Sequence, residues 1–548
     1  MTEIRSKPKQ QAFRLDWFDW IVLGAVGVLS IAVLGPLLIT GHSITGGDGL
    51  FPPDQLQYLS WIRQAADHGL IGNRFDFAPD TRVFLHPAFL ISGLAVRLGL
   101  PIQYSNALIW KPVAVLVVFF GARQYARRLL PSGWPARTGT VLALFTLVPA
   151  STILGVFGAG FPLRYNLDFI TSEMWPGQQL LGYEVAASAI FLVPLTLLLA
   201  ERAKRERSWG KVAAVAGLAL LITWLQPWQG AELLIILAAV EFWRWWRADE
   251  RPFVRFVAVA LAGIAPAVYY AILERTDPFW KLYGEMNRAN ADPIWNWSWW
   301  AVLLCLAPLG VPAIASVRSG IADWQTSAVR FWPVAVLIVY LQPSGTFPFH
   351  SVQGLSVPLA VMAVQGFTIY RPTWLPRPRI WWVVPAVAFL IVPGTWHRLG
   401  LAHENVQLRR FPYYFVGGEK AALSWLAANP REGGVLADRY AGLLVPPFAN
   451  RESYVGPRVL TPGFKTKATD MDLLLLRFMK PQQAQAFVAS TGASFIFEAC
   501  GAWKGGAPAL GSLLAPVIES ERRFGCARVY SLKPTRRSTR LAAELGNG

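Results

Sequence analysis

Charged side chains are scarce in this chain: Asp, Glu, Lys and Arg make up 15% of its 548 residues, against 54% hydrophobic residues, with 25 Trp and a mean hydropathy of +0.36. That shortage excludes an ordinary soluble enzyme and points to a polytopic membrane protein. A small-residue cleavage site is also lacking after the first apolar run, about Trp17 to Thr40, which is long enough to cross a hydrocarbon core needing roughly 20 apolar residues. The run is therefore read as an anchor, with residues 1–16 in the cytoplasm, and not as a removed signal peptide. Basic residues outnumber acidic ones, 51 to 33, but they are not gathered in one domain or on one helical face, which excludes a nucleic-acid-binding surface. Cysteine is nearly absent: of three, Cys305 falls in an apolar run, while Cys500 and Cys526 lie in the polar C-terminal region. An oxidising compartment allows a disulfide between that pair, and two buried thiols are the alternative.

Apolar runs near 17–40, 103–122, 136–157, 182–200, 211–226, 231–246, 255–273, 297–316, 327–341, 351–370 and 380–396 predict about eleven transmembrane helices within a domain of residues 17–400. Alternate loops carry the positive charge: Arg5, Lys7, Lys9 and Arg14; Arg123, Arg127, Arg128 and Arg137; Arg202, Lys204, Arg205, Arg207 and Lys211; Arg244, Arg247, Arg251 and Arg255; Arg371, Arg377 and Arg379. The loops between them, around Gln226 to Gly230 and Gln342 to His350, have no Lys or Arg. The basic loops are then cytoplasmic, and an odd number of spans leaves the C-terminus outside.

The first external segment, residues 41–101, is too polar to span and too apolar for a plain loop. It reads as two juxtamembrane helices, Asp54 to Gly69 and Val83 to Leu98, the second opening on His86-Pro87. From Gly418 the long apolar runs stop. The helix pattern Glu419 to Asn429, strand-like runs at Val435–Ala437, Ser494–Phe497 and Ala527–Ser531, and helical stretches near 470–479, 482–490 and 513–519 predict a small α/β extracytoplasmic domain over 418–532. A basic tail follows over 533–548.

Two carboxylates, Asp48 and Asp54, stand just past the first apolar run. An acid kept beside hydrocarbon is a functional candidate by default. Asp48 lies among glycines, which suits either flexible approach to a ligand or an ordinary turn. In the second external loop, Gly158 to Gly182, Asp168 and Glu173 either orient a bound hydroxyl or stand as solvated loop acids. His86, Arg164, His350, Arg409 and Arg410 fall at the external surface, where they bind phosphate or, for the arginines, snorkel to headgroups. Trp280, Trp295, Trp297, Trp299 and Trp300 suit interface anchoring better than a sugar platform. Asp470-Met471-Asp472 is read as the charged start of a helix, not as a metal pair.

Asp54-Gln55-Leu56-Gln57-Tyr58, Val83-Phe84-Leu85-His86-Pro87, Gly182-Tyr183-Glu184, Pro227-Trp228-Gln229-Gly230 and Phe347 to Gly354, set in an odd-numbered bundle, resemble the lipid-donor glycosyltransferases of the GT-C superfamily. The resemblance covers about residues 15–400. It implies inverting transfer of a sugar from a polyprenyl-phosphate donor to a cell-envelope glycan or lipid, on the outer face of the plasma membrane. It implies Asp54 as general base, with Asp48 its rival; Tyr58, Asp168 and Glu173 toward the acceptor; and His86, Arg164, His350, Arg409 and Arg410 toward the donor phosphate. Many relatives place a second acid directly after the first, where this chain has Gln55, so no metal and no cofactor other than the lipid-linked donor is assigned. The competing readings are a transporter or flippase, which predicts internal repeats that the sequence does not show, and a non-catalytic scaffold of an envelope assembly.

Overall fold

The computed structural model describes residues 14–78, 81–248, 250–290, 299–319, 323–342, 347–369, 380–501 and 509–534. Trp295, Trp297, Arg371 and Arg377, together with the tail from 535 on, lie outside them. The described chain is mostly helical with one small sheet. Among the described residues, four helices are long and apolar enough to cross a membrane alone: Ile102–Leu129, Glu184–Glu206, Phe256–Thr276 and Trp381–Gln407. The chain is thus a multi-pass membrane protein. The run expected as one span over 136–157 is two helices, Trp134–Phe145 and Ala150–Val156, bent by 72°. Pro149 lies at the break, and the freed Leu147 N–H donates to Leu390 O at 2.9 Å. The first apolar run likewise breaks after Trp17–Ser30 and resumes as Leu34–Ile39.

One end of the bundle is tied by ion pairs among loops far apart in sequence. Asp19, in a capping box with Asp16, meets Arg123 at 2.7 Å and Arg127 at 2.8 Å; Arg137 reaches Asp16 at 3.0 Å. Arg128 joins Glu201 at 2.5 Å and Asp323 at 2.6 Å, and Lys204 joins Glu241 at 3.0 Å. Arg123, Arg127, Arg128, Arg137 and Lys204, from loops that alternate in the sequence, therefore gather at one end of the bundle.

The opposite end carries the two surface helices, Pro52–His68 and Pro87–Arg97, each opened by proline in its first turn; Gly69, at φ +79°, closes the first. The C-terminal region sits on them. Leu56, Leu59 and Ile62 of the first surface helix share one buried cluster with Leu423, Val435 and Phe495. The Arg74–Glu452 ion pair at 2.7 Å and the bond from Asn73 Nδ2 to Leu460 O at 3.0 Å add polar ties. Trp280 lies in the same cluster, 4.5 Å from the Phe84 ring, so it is a core residue and not the interface anchor expected of it.

The sheet runs β1-β2-β4-β3, with β1 Val435–Leu436 parallel to β2 Phe495–Glu498, and β4 Ala527–Leu532 antiparallel to both β2 and β3 Ile518–Phe524. Strand β3 replaces part of the helix expected over 513–519, since the short helix Leu510–Leu513 stops before it. Its side chains are largely exposed and charged, so it has no apolar alternation to read; pairing with β4 across Gly525 makes it a strand. Asp470 and Asp472 lie inside the helix Phe464–Leu475, which corrects their reading as a helix start. Cys500 and Cys526 form a disulfide.

Candidate functional site

The first external loop is pinned from two sides. Thr45 N–H donates to Tyr413 O at 2.9 Å, and Tyr413 Oη donates to Gly49 O at the same distance. Leu50 N–H donates to Leu181 O at 3.1 Å. A Cβ on Gly49 would lie 2.1 Å from that same oxygen, so only glycine permits the approach. The glycines around Asp48 serve close packing and not flexible access to a ligand.

Asp48 itself is 1% exposed and fully engaged. Its Oδ1 accepts from Gln55 Nε2 at 2.5 Å and its Oδ2 faces Lys111 Nζ at 3.1 Å. Lys111 pairs with Glu184 at 2.6 Å, and Glu184 also accepts from Asn106 Nδ2 at 3.0 Å and Gly182 N–H at 3.2 Å. This is a closed, buried ion cluster. Buried in this cluster at 1% exposure, Asp48 has almost no surface from which to meet an acceptor hydroxyl.

Asp54, in the first turn of its surface helix, is the opposite case. Its carboxylate keeps an accessible face while protein surrounds it, and the loss of bulk water pushes its pKa up. The Tyr183 hydroxyl donates to Oδ2 at 2.6 Å and partly offsets that push. Tyr58 stands beside Tyr183, ring centroids 6.4 Å apart, and packs on Phe89 at 5.4 Å. Burial holds both phenols well above the usual tyrosine range, so they act as hydroxyl donors and not as bases.

Glu173 is buried at 6% exposure, which corrects its reading as a solvated loop acid. It accepts from Gln353 Nε2 at 2.7 Å and Gln178 Nε2 at 3.2 Å. Gln353 in turn accepts from Gln226 Nε2 at 3.1 Å, and Gln229 Nε2 donates to His350 O at 2.8 Å. Burial, with a smaller contribution from Asp54, raises the Glu173 pKa to about 7. Gln178 Oε1, Gln229 Oε1 and His350 Nδ1 are buried acceptors or donors with no hydrogen-bond partner among the described residues. Trp228, half-buried, lies edge-on to the His350 ring at 4.6 Å. A group of amides, one acid and an indole suits a hydroxyl-rich ring.

The phosphate candidates divide. His86 is buried between Phe84 and Phe89, 4.4 Å from the latter ring, and burial depresses its pKa to about 4. His350 is depressed to about 4 by the same cause. Both are neutral at physiological pH, and that corrects their reading as cations for a phosphate. Arg409 and Arg410 are exposed. Arg164 is half-buried, with its guanidinium against Gly155. The residue that sequence reading missed is Arg398, which donates to Asp168 O at 2.7 Å and to the Ser172 hydroxyl, next to Glu173. Asp168 accepts from Ser151, and with His397 and Arg398 it lines a small polar cavity beside the broken span. The signal was His397-Arg398 placed directly after an apolar run, where a charge is costly. Lys111, inside the predicted span 103–122, carried the same signal.

Fold and site together define a helical membrane bundle with a pinned first external loop, an acid in the first turn of a surface helix, and a polar region beside a broken span. Among solved structures the chain is similar to the Archaeoglobus fulgidus oligosaccharyltransferase tethered with an acceptor peptide, at 11% identity over 95% of this chain and 74% of that one, with a TM-score of 0.54. It is also similar to ArnT from Cupriavidus metallidurans bound to undecaprenyl phosphate, at 12% identity over 95% of this chain and 99% of that one, with a TM-score of 0.50. At such identities the likeness is one of fold. No protein-family profile matches the chain, and no curated protein matches it in sequence.

Proposed function

We propose that the chain is a membrane glycosyltransferase that moves a sugar from a polyprenyl-phosphate donor to a cell-envelope glycan or lipid on the extracytoplasmic face. The observation that carries this reading is Asp54: an accessible carboxylate, oriented by Tyr183 at 2.6 Å and set beside the Glu173 amide cluster. Asp54 takes the proton of the acceptor hydroxyl as its oxygen bonds to the anomeric carbon; the bond from that carbon to the phosphate oxygen breaks, and its electron pair leaves on the lipid phosphate. The configuration inverts. Arg398 and Arg164 meet the charge on the departing phosphate, and the glutamines and Trp228 receive the sugar ring.

Transfer from labelled polyprenyl-phosphate sugars, in membranes overproducing the chain, tests the reading. Asp54→Asn at matched expression is expected to lower the rate by about 10²-fold or more, the scale of a lost general base. Unchanged transfer in that variant removes Asp54 from the mechanism, and no transfer from any donor in the panel shifts weight to a transporter or scaffold. Gln55 stands where a second acid would complete a metal pair, and its amide is spent on Asp48. Transfer is therefore expected to survive a chelator, and loss restored by a divalent cation would overturn the metal-free reading.

A further inference from the structure

The Asp54–Tyr183 bond is one side of a closed ring. Gln55, the next residue after Asp54, donates to Asp48 at 2.5 Å, and its Oε1 accepts from the N–H groups of Asp48 at 2.9 Å and Gly49 at 2.8 Å. Asp48 meets Lys111 at 3.1 Å, Lys111 meets Glu184 at 2.6 Å, and Glu184 follows Tyr183 in the chain. Tyr183 returns to Asp54 at 2.6 Å. Three segments distant in sequence, the first loop, a membrane-spanning helix and the end of the second external loop, are thereby locked to one another. Asp48, Gln55, Lys111 and Glu184 are exposed by 1%, 3%, 4% and 0%, so little water reaches the links to loosen them. A lysine in that setting is retained only where its partners are in place, since a buried charge left unpaired is strongly unfavourable. The backbone agrees: at Gly182, φ +114°, a Cβ would lie 2.9 Å from the Gln55 amide carbon, so the two loops are in direct contact.

We propose that Lys111 is a positioning residue: by bridging Asp48 and Glu184 it fixes Gln55 and Tyr183, and through them the direction in which the Asp54 carboxylate points. The proposal rests on Asp54 as the base, and it makes the ring, not the surface helix alone, responsible for base geometry. Lys111 touches no substrate in this scheme. Its removal takes away the one link between Asp48 and Glu184 and leaves two buried acids without their shared cation, so the Tyr183-Glu184 segment is no longer tied to the first loop and the Tyr183 hydroxyl is no longer held on Asp54. Among the described residues, the titratable groups facing Asp54 are Tyr58, Tyr183, Tyr283 and Glu173, and of these the Tyr183 hydroxyl bonds to its carboxylate.

The test uses the purified full chain in lipid nanodiscs. Infrared difference spectra, with the Asp54 band assigned by its loss in Asp54→Asn, follow the titration of that carboxyl without any substrate. Tyr183→Phe removes the donor and is expected to raise the midpoint by about half a pH unit or more. Lys111→Met is expected to raise it in the same direction, with kcat down by about tenfold and KM changed far less, the pattern of misplaced machinery and not of lost binding. Glu184→Gln keeps the shape of the cluster and serves where Lys111→Met does not fold; a smaller rise is expected. A wild-type midpoint and wild-type kcat in Lys111→Met or Glu184→Gln overturn the proposal. Wild-type transfer in Asp54→Asn instead removes the base, while the infrared midpoints still decide whether the ring positions the carboxyl.

Discussion

Two acids with nearly the same sequence address have opposite surroundings, and the difference follows from single neighbours. Asp48 meets a lysine and an amide, so its charge is spent inside the protein; Asp54 meets one phenol and keeps an open face. Glu173 is the third case, held by two amides with Arg398 acting on it only weakly, and burial lifts its pKa to about 7 from 4.5. Between those values the folded chain holds a proton that the unfolded chain has released. Stability therefore falls as pH rises through that window, by about 1.4 kcal/mol per pH unit and on the order of 3 kcal/mol in all. Glu173→Gln removes the slope. Melting temperatures in detergent should differ little between variant and wild type at pH 4.5, and the variant should gain steadily up to about pH 7. Parallel curves across that range would show that Glu173 ionises as an ordinary glutamate.

At the scale of elements, the first surface helix is shared property: one face packs on the C-terminal region, and its N-terminal turn carries the base. Trp280 sits where that helix, the Phe84 strand-like segment and the helix Pro278–Asn290 converge, 4.5 Å from Phe84 and 6.4 Å from Trp61. Trp280→Ala leaves a cavity there and is expected to cost about 3–5 kcal/mol. Limited proteolysis should then cut the C-terminal region much faster; an unchanged rate would mean that the cluster does not hold the two pieces together. Much of this level was legible beforehand. The surface helices, the acid at the first one's start and the basic loops follow from apolar periodicity and charge, which are local signals. Strand β3 was not, because its exposed, charged side chains carry no apolar alternation; the broken span at Pro149 and the inward turn of Trp280 were not, because each depends on a partner distant in sequence, Leu390 and Phe84. The ring through Lys111 fails to show for the same reason, since its links join residues 48, 111 and 184 that only folding brings together.

At the scale of the whole molecule, charge and contacts give the same polarity. The basic residues near 14, 123–137, 201–211 and 241–255 converge on one end through ion pairs, while the first loop, the surface helices and the sheet occupy the other. The residues after the last long helix return to the first loop, with Phe415 N–H donating to Ser43 O at 3.0 Å and Ile44 paired with Tyr414. The start of the helix Trp17–Ser30 and the sheet therefore lie at opposite ends of the bundle, whatever the number of spans between them. The positive-inside rule predicts that Asp54, Arg398 and the disulfide-bearing region face the extracytoplasmic side, and reporter fusions test it. A reporter enzyme that matures only outside the cytoplasm should be active when fused to the C-terminus and inactive when fused to the N-terminus. The Cys500–Cys526 pair closes a loop of 26 residues, so reduction should lower the melting temperature of the C-terminal region, by a stability on the order of 3 kcal/mol in the chain-entropy picture. If instead the reporter matures at the N-terminus only, the basic end faces outward, the site faces the cytoplasm, and a donor presented on the outer leaflet cannot reach Asp54.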